Sequence, residues 1–211
     1  MDDLLILGAG GHGNVVAEAA IESENFKKIS FLDDKFKEPF ASNKISIKEI
    51  IGSFKDFKNN EITNSYKYAF VALGDSKKRL SIISELINFD YLIPVIRHPS
   101  SWISRYSKIG YGSVLLSNSN LQTNSIIGKG VILNTNSVVD HDVYIGDGVH
   151  ICPGVNIAGN VRIGKNTWIG IGSSILNGIN IGSNVTIGAG SIVTKNVPDN
   201  VIAKGIPAKW N

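Results

Sequence analysis

From Ile103 to Val193 every sixth residue is Ile, Leu or Val, sixteen times without interruption. The fifth position of each hexad is Ser, Thr, Val or, once, Ile179, and it is never charged. An α-helix cannot honour a strict period of six, because about 3.6 residues per turn would spread these aliphatics around its axis. A flat strand would repeat every second residue, and the intervening Gly, Asn and Asp disfavour long strands. A short strand, a corner and another short strand satisfy the period. The aliphatic points inward, the residue four positions on points inward beside it, and Gly or Asn turns the corner, where positive φ is tolerated. Three hexads close one triangular coil, so the run predicts a parallel β-helix of about five coils. Each coil buries its aliphatics only against the coils above and below, so both ends need covering.

Composition narrows the function classes. Apolar residues make up 43% of the 211 and charged residues 18%, as in a globular protein. No apolar run reaches the roughly 18 residues of a membrane span. Met1-Asp2-Asp3-Leu4 lacks the positive start of a signal peptide, so a cytoplasmic setting is expected. Cys152 is the single cysteine, which rules out an internal disulfide and fits a reducing compartment. A net charge of +3 is too small to argue for nucleic acid, and it is compatible with phosphate-bearing small molecules.

The residues before the hexads read differently. Leu4-Leu5-Ile6-Leu7 is a buried strand by composition, followed by Gly8-Ala9-Gly10-Gly11-His12-Gly13 and a helix with apolar Val15, Val16, Ala19 and Ala20. Further strands are expected at Ile29–Leu32, Tyr68–Leu73 and Leu92–Ile96, with a helix carrying Leu80, Ile83 and Leu86 capped at Gly74-Asp75-Ser76. The polar, Lys-rich segment from Phe36 to Ser65 has no clear assignment. Alternating strands and helices predict a small parallel sheet of Rossmann type. The expected organisation is an α/β Rossmann-like domain over residues 1–98 and a β-helix domain over 99–211, with the boundary near Pro99. Gly8-x-Gly10-x-x-Gly13 after a strand, with Asp33 beyond it, meets the dinucleotide fingerprint. The physics is generic, since glycines admit any pyrophosphate to a helix N-terminus. A nicotinamide enzyme, a nucleotide-linked ligand and a Gly-rich turn that only packs helix on strand all remain open on this motif.

Leu7-Gly8-Ala9-Gly10-Gly11-His12-Gly13, Phe31-Leu32-Asp33-Asp34, the unbroken hexads with Asn134-Thr135 and Asp140-His141-Asp142, and Gly205-Ile206-Pro207-Ala208-Lys209 come in a distinctive order. That order and spacing resemble the hexapeptide-repeat sugar acetyltransferases, in particular the bacillosamine-type UDP-4-amino-sugar N-acetyltransferases, with sialic-acid O-acetyltransferases as relatives. The resemblance spans essentially the whole chain. It implies left-handed coils, although the general rule for parallel crossovers favours right-handed ones. It implies a homotrimer with active sites between subunits, acetyl-CoA along the β-helix, a nucleotide-sugar on the N-terminal domain and no metal. Gly10, Gly11 and His12 would contact the nucleotide-sugar, and Asp33 and Asp34 would hold its uracil or ribose end. Gly74 and Lys77 would lie nearby, with Asn134 by the amino-sugar. His141 would be the general base and Asp142 its partner, where the family carries Glu. His150, the backbone at Ile171 and Ala189, and the loop with Lys204, Gly205 and Lys209 would contact acetyl-CoA.

The chemistry agrees with those residue types. A sugar ammonium must lose a proton to attack a thioester, and imidazole titrates near neutrality. A neighbouring carboxylate raises its basicity and fixes its tautomer. The inward slots around His141 are Val139 and Val143, so the histidine is expected at a corner, facing out. From the pattern alone it reads equally as a solvated turn histidine. His150 follows inward Val149 and also faces out, either toward the acetyl donor or toward solvent. Cys152 reads as a packing residue, His98 as a structural residue of the linker, and Trp168 as an outward-facing contact residue, either against a neighbouring subunit or against the adenine of CoA. The expected activity is acetyl transfer from acetyl-CoA to the amino group of a nucleotide-linked sugar, foremost a UDP-4-amino-4,6-dideoxy sugar, with GDP- and dTDP-linked acceptors open. The rivals are O-acetylation of a sialic acid or related sugar, a non-catalytic nucleotide-binding scaffold, and an NAD-dependent enzyme.

Overall fold

The computed structural model describes residues 1–34 and 49–210. The chain divides into two compact units, 1–96 and 97–211. Lys35 and the first part of the unassigned polar segment, through Lys48, lie outside the described residues.

The first unit is a four-stranded parallel sheet of order β3-β2-β1-β4, with β1 at Asp2–Leu7, β2 at Phe26–Leu32, β3 at Glu49–Gly52 and β4 at Tyr68–Val71. Helix α1 spans Gly11–Glu22, α2 spans Asn60–Ser65 and α3 spans Ser76–Asn88. Leu4, Leu5, Ile6 and Leu7 are each 0% exposed, as expected of a central strand buried on both faces. The order reverses at β1, with β2 on one side and β4 on the other. In open α/β sheets the crevice beyond the strand ends at such a point is where ligands bind.

Two details depart from the sequence reading. Leu92–Ile96 is not a strand of this sheet. Leu92 forms only an isolated bridge with Tyr68, and the next strand is the two-residue Ile96–Arg97. Pro94 supplies no ladder donor, and Leu92 and Val95 are exposed, so the pairing with the sheet does not extend beyond Leu92. Conversely, the segment without an assignment supplies β3, a 3-10 turn at Phe54–Lys58 and α2.

The second unit is the three-sided parallel β-helix that the hexads require. Its two-residue strands stack into three parallel sheets, with Val138 facing Asn156, Tyr144 facing Arg162 and His150 facing Trp168 in successive coils. Ile145, Ile151, Ile169 and Ile187 are all 0% exposed in one continuous core. The Ser and Thr at fifth positions are buried without penalty because their hydroxyls are bonded, Ser119 and Ser137 to the carbonyls of Leu116 and Asn134 in their own corners and others across two coils. Ser125 Oγ donates to the Asp140 carbonyl at 2.7 Å and accepts from the Val143 N–H at 3.0 Å. Thr167 does the same with the Gly182 carbonyl and the Val185 N–H. A hydroxyl with both partners supplied stands in for Val at little cost. From Gly112 to Gly190 the fourth position of each hexad turns the corner with positive φ, among them Asn136, Asp142, Gly148 and Asn160. At the last coil Ile202–Gly205 adds a parallel strand and Ala208–Lys209 folds back on it antiparallel. Ala208 and Trp210 close the core there, which is the cover a solenoid end needs.

Candidate active site

The first cluster occupies the crevice of the Rossmann-like unit. Gly8 has φ +106, and a Cβ there would stand 2.9 Å from the Ala72 carbonyl oxygen, so only glycine passes from β1 into the loop. A Cβ on Gly13 would overlap the Gly8 carbonyl, so this glycine sets how closely α1 packs on the loop. Gly10 is the N-cap of α1 with no side-chain cap, and the first turn carries no acidic residue. The amide dipoles there remain suited to an anion. Gly10 and Gly11 are exposed, with nothing within 4 Å of a built Cβ.

Asp33 and Asp34 stand at the end of β2, beside that loop. Asp33 Oδ2 accepts from the Ala9 N–H at 2.7 Å, and Asp34 Oδ1 accepts from the Phe54 N–H at 2.9 Å. Both carboxylates therefore brace the crevice they line. Gly74 and Lys77 follow β4 and are exposed, with the side chain of Asp75 capping α3 through the Lys78 N–H. His12 is largely buried, and burial, helped by the charge of Arg79, lowers it to about 4. It is therefore neutral near pH 7.

Arg79 escaped the sequence reading. It is 1% exposed, and its guanidinium donates to the carbonyls of Leu73 and Gly74 at 2.6 and 3.0 Å, ordering the loop after β4. Burial lowers it to about 10, still far above neutrality. Its spacing from Ile83 and Leu86 places it on the buried face of α3, and that helical spacing was the signal available.

The second cluster is at a β-helix corner. His141 and Asp142 lie between the strands Val138–Val139 and Tyr144–Ile145, with side chains 47% and 45% exposed. His141 Nδ1 is 2.7 Å from Asp142 Oδ2. Asp142 has φ 59, a conformation that Asp and Asn accept readily, so the short carboxylate reaches the ring from the corner slot itself. The hydrogen bond to Asp142, with the charge of Asp140, raises His141 above the ordinary histidine value. The same bond, with one to Asn124, lowers Asp142.

The third cluster lies on another face of the coil. Asn134 Nδ2 and His150 Nε2 are 3.3 Å apart, and the His150 ring meets Trp168 edge to face at 6.4 Å between centroids. Ile171 and Ala189 follow the next two strands of that sheet at the corner, where the Gly190 N–H donates to the Ile171 carbonyl at 2.8 Å. Lys204, Gly205 and Lys209 are exposed in the terminal hairpin. A cleft of about 350 Å³ beside them is lined by Thr194, Lys195, Pro207, Ala208, Lys209 and Trp210. Within one chain the His141–Asp142 pair and the Asn134–His150 pair thus occupy different edges of the triangle. Cys152 is buried and its thiol is pushed up to about 11, which makes it a packing residue. His98 Nδ1 bonds Ser100 at the entry to the first coil. Among the described residues no group of three His, Cys, Asp or Glu side chains is arranged to hold a metal, and no helix is long and apolar enough to cross a membrane.

A Rossmann crevice with a glycine loop, followed by a hexapeptide β-helix with an outward His–Asp pair, defines a class of acyltransferase architecture. Comparison with known proteins narrows it. A family described as the PglD N-terminal domain matches residues 3–86, and the bacterial transferase hexapeptide family matches residues 124–159 and 160–195. The comparison with curated proteins gives no match. Among solved structures, the acetyltransferase domain of PglB from Neisseria gonorrhoeae FA1090 in complex with acetyl coenzyme A is 34% identical, with TM-score 0.92 over 100% of this chain and 99% of that one. The H141N mutant of perosamine N-acetyltransferase from Caulobacter crescentus, in complex with CoA and GDP-perosamine, is 27% identical, with TM-score 0.90 over 100% and 97%. WeeI from Acinetobacter baumannii AYE is 27% identical, with TM-score 0.86 over 99% of each chain. The chain belongs to the hexapeptide-repeat sugar N-acetyltransferases of the bacillosamine type, and its coils are left-handed.

Proposed function

We propose that this protein transfers the acetyl group of acetyl-CoA to the amino group of a nucleotide-linked amino-sugar, foremost a UDP-linked 4-amino-4,6-dideoxy sugar, with His141 as general base. The His141–Asp142 pair carries the reading. Nδ1–H donates to the carboxylate, which fixes the tautomer and leaves Nε2 to take a proton. As the amine nitrogen attacks the thioester carbonyl, its proton passes to Nε2, the C–S bond breaks and CoA leaves as the thiolate, which the imidazolium can reprotonate. A thioester is already activated, so no enzyme nucleophile is needed.

The glycine loop and the uncapped N-terminus of α1 suit the pyrophosphate of the acceptor, and Asp33 and Asp34 border the same crevice. His150, Ile171, Ala189 and the cations Lys204 and Lys209 suit the acetyl donor and its phosphates. Asn134, beside His150, is assigned to the amino-sugar. The separation of His141 from Asn134 and His150 on one chain supports a homotrimer in which one subunit's base meets another's donor surface. Half-exposed Trp168 and Ile171 are suited to that interface. A cytoplasmic setting supplies both substrates.

Release of CoA thiol across a panel of UDP-, dTDP- and GDP-linked amino-sugars tests the reading. Turnover with a UDP-linked 4-amino sugar, yielding an amide, is expected. Absence of thiol release with every nucleotide amino-sugar, or an ester product, would refute it.

A further inference from the structure

The corner column that holds His141 recurs every eighteen residues and reads Arg105, Thr123, His141, Gly159, Asn177, Lys195. Gly159 is buried, and the histidine ring lies on it. A Cβ at Gly159 would stand 2.6 Å from Cε1, 2.7 Å from Nε2 and 3.1 Å from Nδ1 of His141. Those imidazole atoms are its three nearest neighbours. The backbone is tied into the stack on both sides, with the Asn160 N–H donating to the His141 carbonyl at 3.1 Å and the Gly178 N–H to the Gly159 carbonyl at 3.0 Å. Unlike the corner glycines Gly154 and Gly172, Gly159 is not in the left-handed region. An L side chain could therefore adopt its backbone, and the imidazole is what a side chain would strike first.

We propose that Gly159 is a positioning residue for the reaction: a floor without a Cβ, on which the His141 imidazole lies in the orientation that joins Nδ1 to Asp142. The inference rests on the role proposed for His141. A methyl group at 159 cannot coexist with the ring as it lies. The ring is half exposed, so it yields by swinging into solvent rather than by disturbing the coil. It then loses the 2.7 Å contact with Asp142 while the fold stands. A displacement of about an ångström in a general base costs on the order of a hundredfold.

The test is Gly159→Ala, read three ways. By NMR, with the resonance assigned through His141→Ala, the His141 imidazole titrates lower, toward the ordinary histidine value, because the hydrogen bond that raises it most is lost and Asp140 and Asp142 act through their charges alone. In steady-state kinetics kcat falls about tenfold to a hundredfold with the KM for acetyl-CoA nearly unchanged. Introduced into His141→Ala, the same substitution costs no further activity and no stability, because the ring it strikes is gone. Wild-type titration and kcat in Gly159→Ala would overturn the proposal. Should Gly159→Ala alone fail to fold, the double variant must fold, and its failure would equally overturn the proposal. If instead His141→Ala keeps full turnover, the catalytic role is wrong while the titration still reports whether Gly159 positions the ring.

Discussion

Asp142→Asn separates the charge of the carboxylate from its shape. Position 142 has φ 59, and Asn enters that region as easily as Asp, so the corner is undisturbed, whereas Asp142→Ala would add backbone strain. The amide oxygen still accepts from Nδ1–H and keeps the tautomer. What is lost is the negative charge beside a developing imidazolium, 2.7 Å away. General base catalysis as a whole contributes about a hundredfold to ten-thousandfold. The carboxylate supports the base rather than replacing it, and the pair is about half exposed so that water screens part of the charge; the loss is therefore a fraction of that whole, about tenfold in kcat/KM. The pH dependence shifts with a definite sign. His141 works unprotonated, and the Asp142 bond raises its pKa, so the wild-type enzyme gains activity as pH rises through that raised value. In Asp142→Asn the pKa falls back, so the acidic limb of kcat/KM moves to lower pH while the plateau drops. Initial rates of thiol release from about pH 5 to 9 measure both. An acidic limb that stays in place or moves upward, or a plateau equal to wild type, would refute the assignment of Asp142.

Two further outcomes follow from burial. His12 titrates at about 4 in the fold and at the ordinary 6.5 unfolded, so the unfolded state binds the extra proton between these values and stability falls as pH drops through that window. The loss reaches about 3 kcal/mol near pH 4, and urea unfolding of His12→Gln should lack that component. Ile151 is 0% exposed in the middle of the stack, so Ile151→Ala should cost about 2–5 kcal/mol in urea unfolding, and a cost below about 1 kcal/mol would contradict the packing described.

The β-helix was legible because its burial is one-dimensional. Each coil repeats the same inward slots, so a period in the sequence is a column in space, and even the outward placement of His141 follows from Val139 and Val143. The glycine loop was legible because backbone approach admits few residue types. Features that depend on contacts between distant segments were not. Leu92–Ile96 has strand composition, but no neighbour pairs with it beyond one bridge. The contact of Asp33 with Ala9 spans 24 residues, and no period announces it. Arg79 passed unremarked in the sequence because the carbonyls of Leu73 and Gly74 that its guanidinium meets are brought to it only by the fold. Gly159 is visible only when the eighteen-residue column is read through His141.

The central claim is that His141 is the base for acetyl transfer to a nucleotide-linked amino-sugar. The most direct measurement is kcat/KM for CoA release with such an acceptor, wild type against His141→Ala. The account predicts a loss of at least about a hundredfold, with the variant still folded and still binding acetyl-CoA. Near-normal turnover by His141→Ala would contradict it.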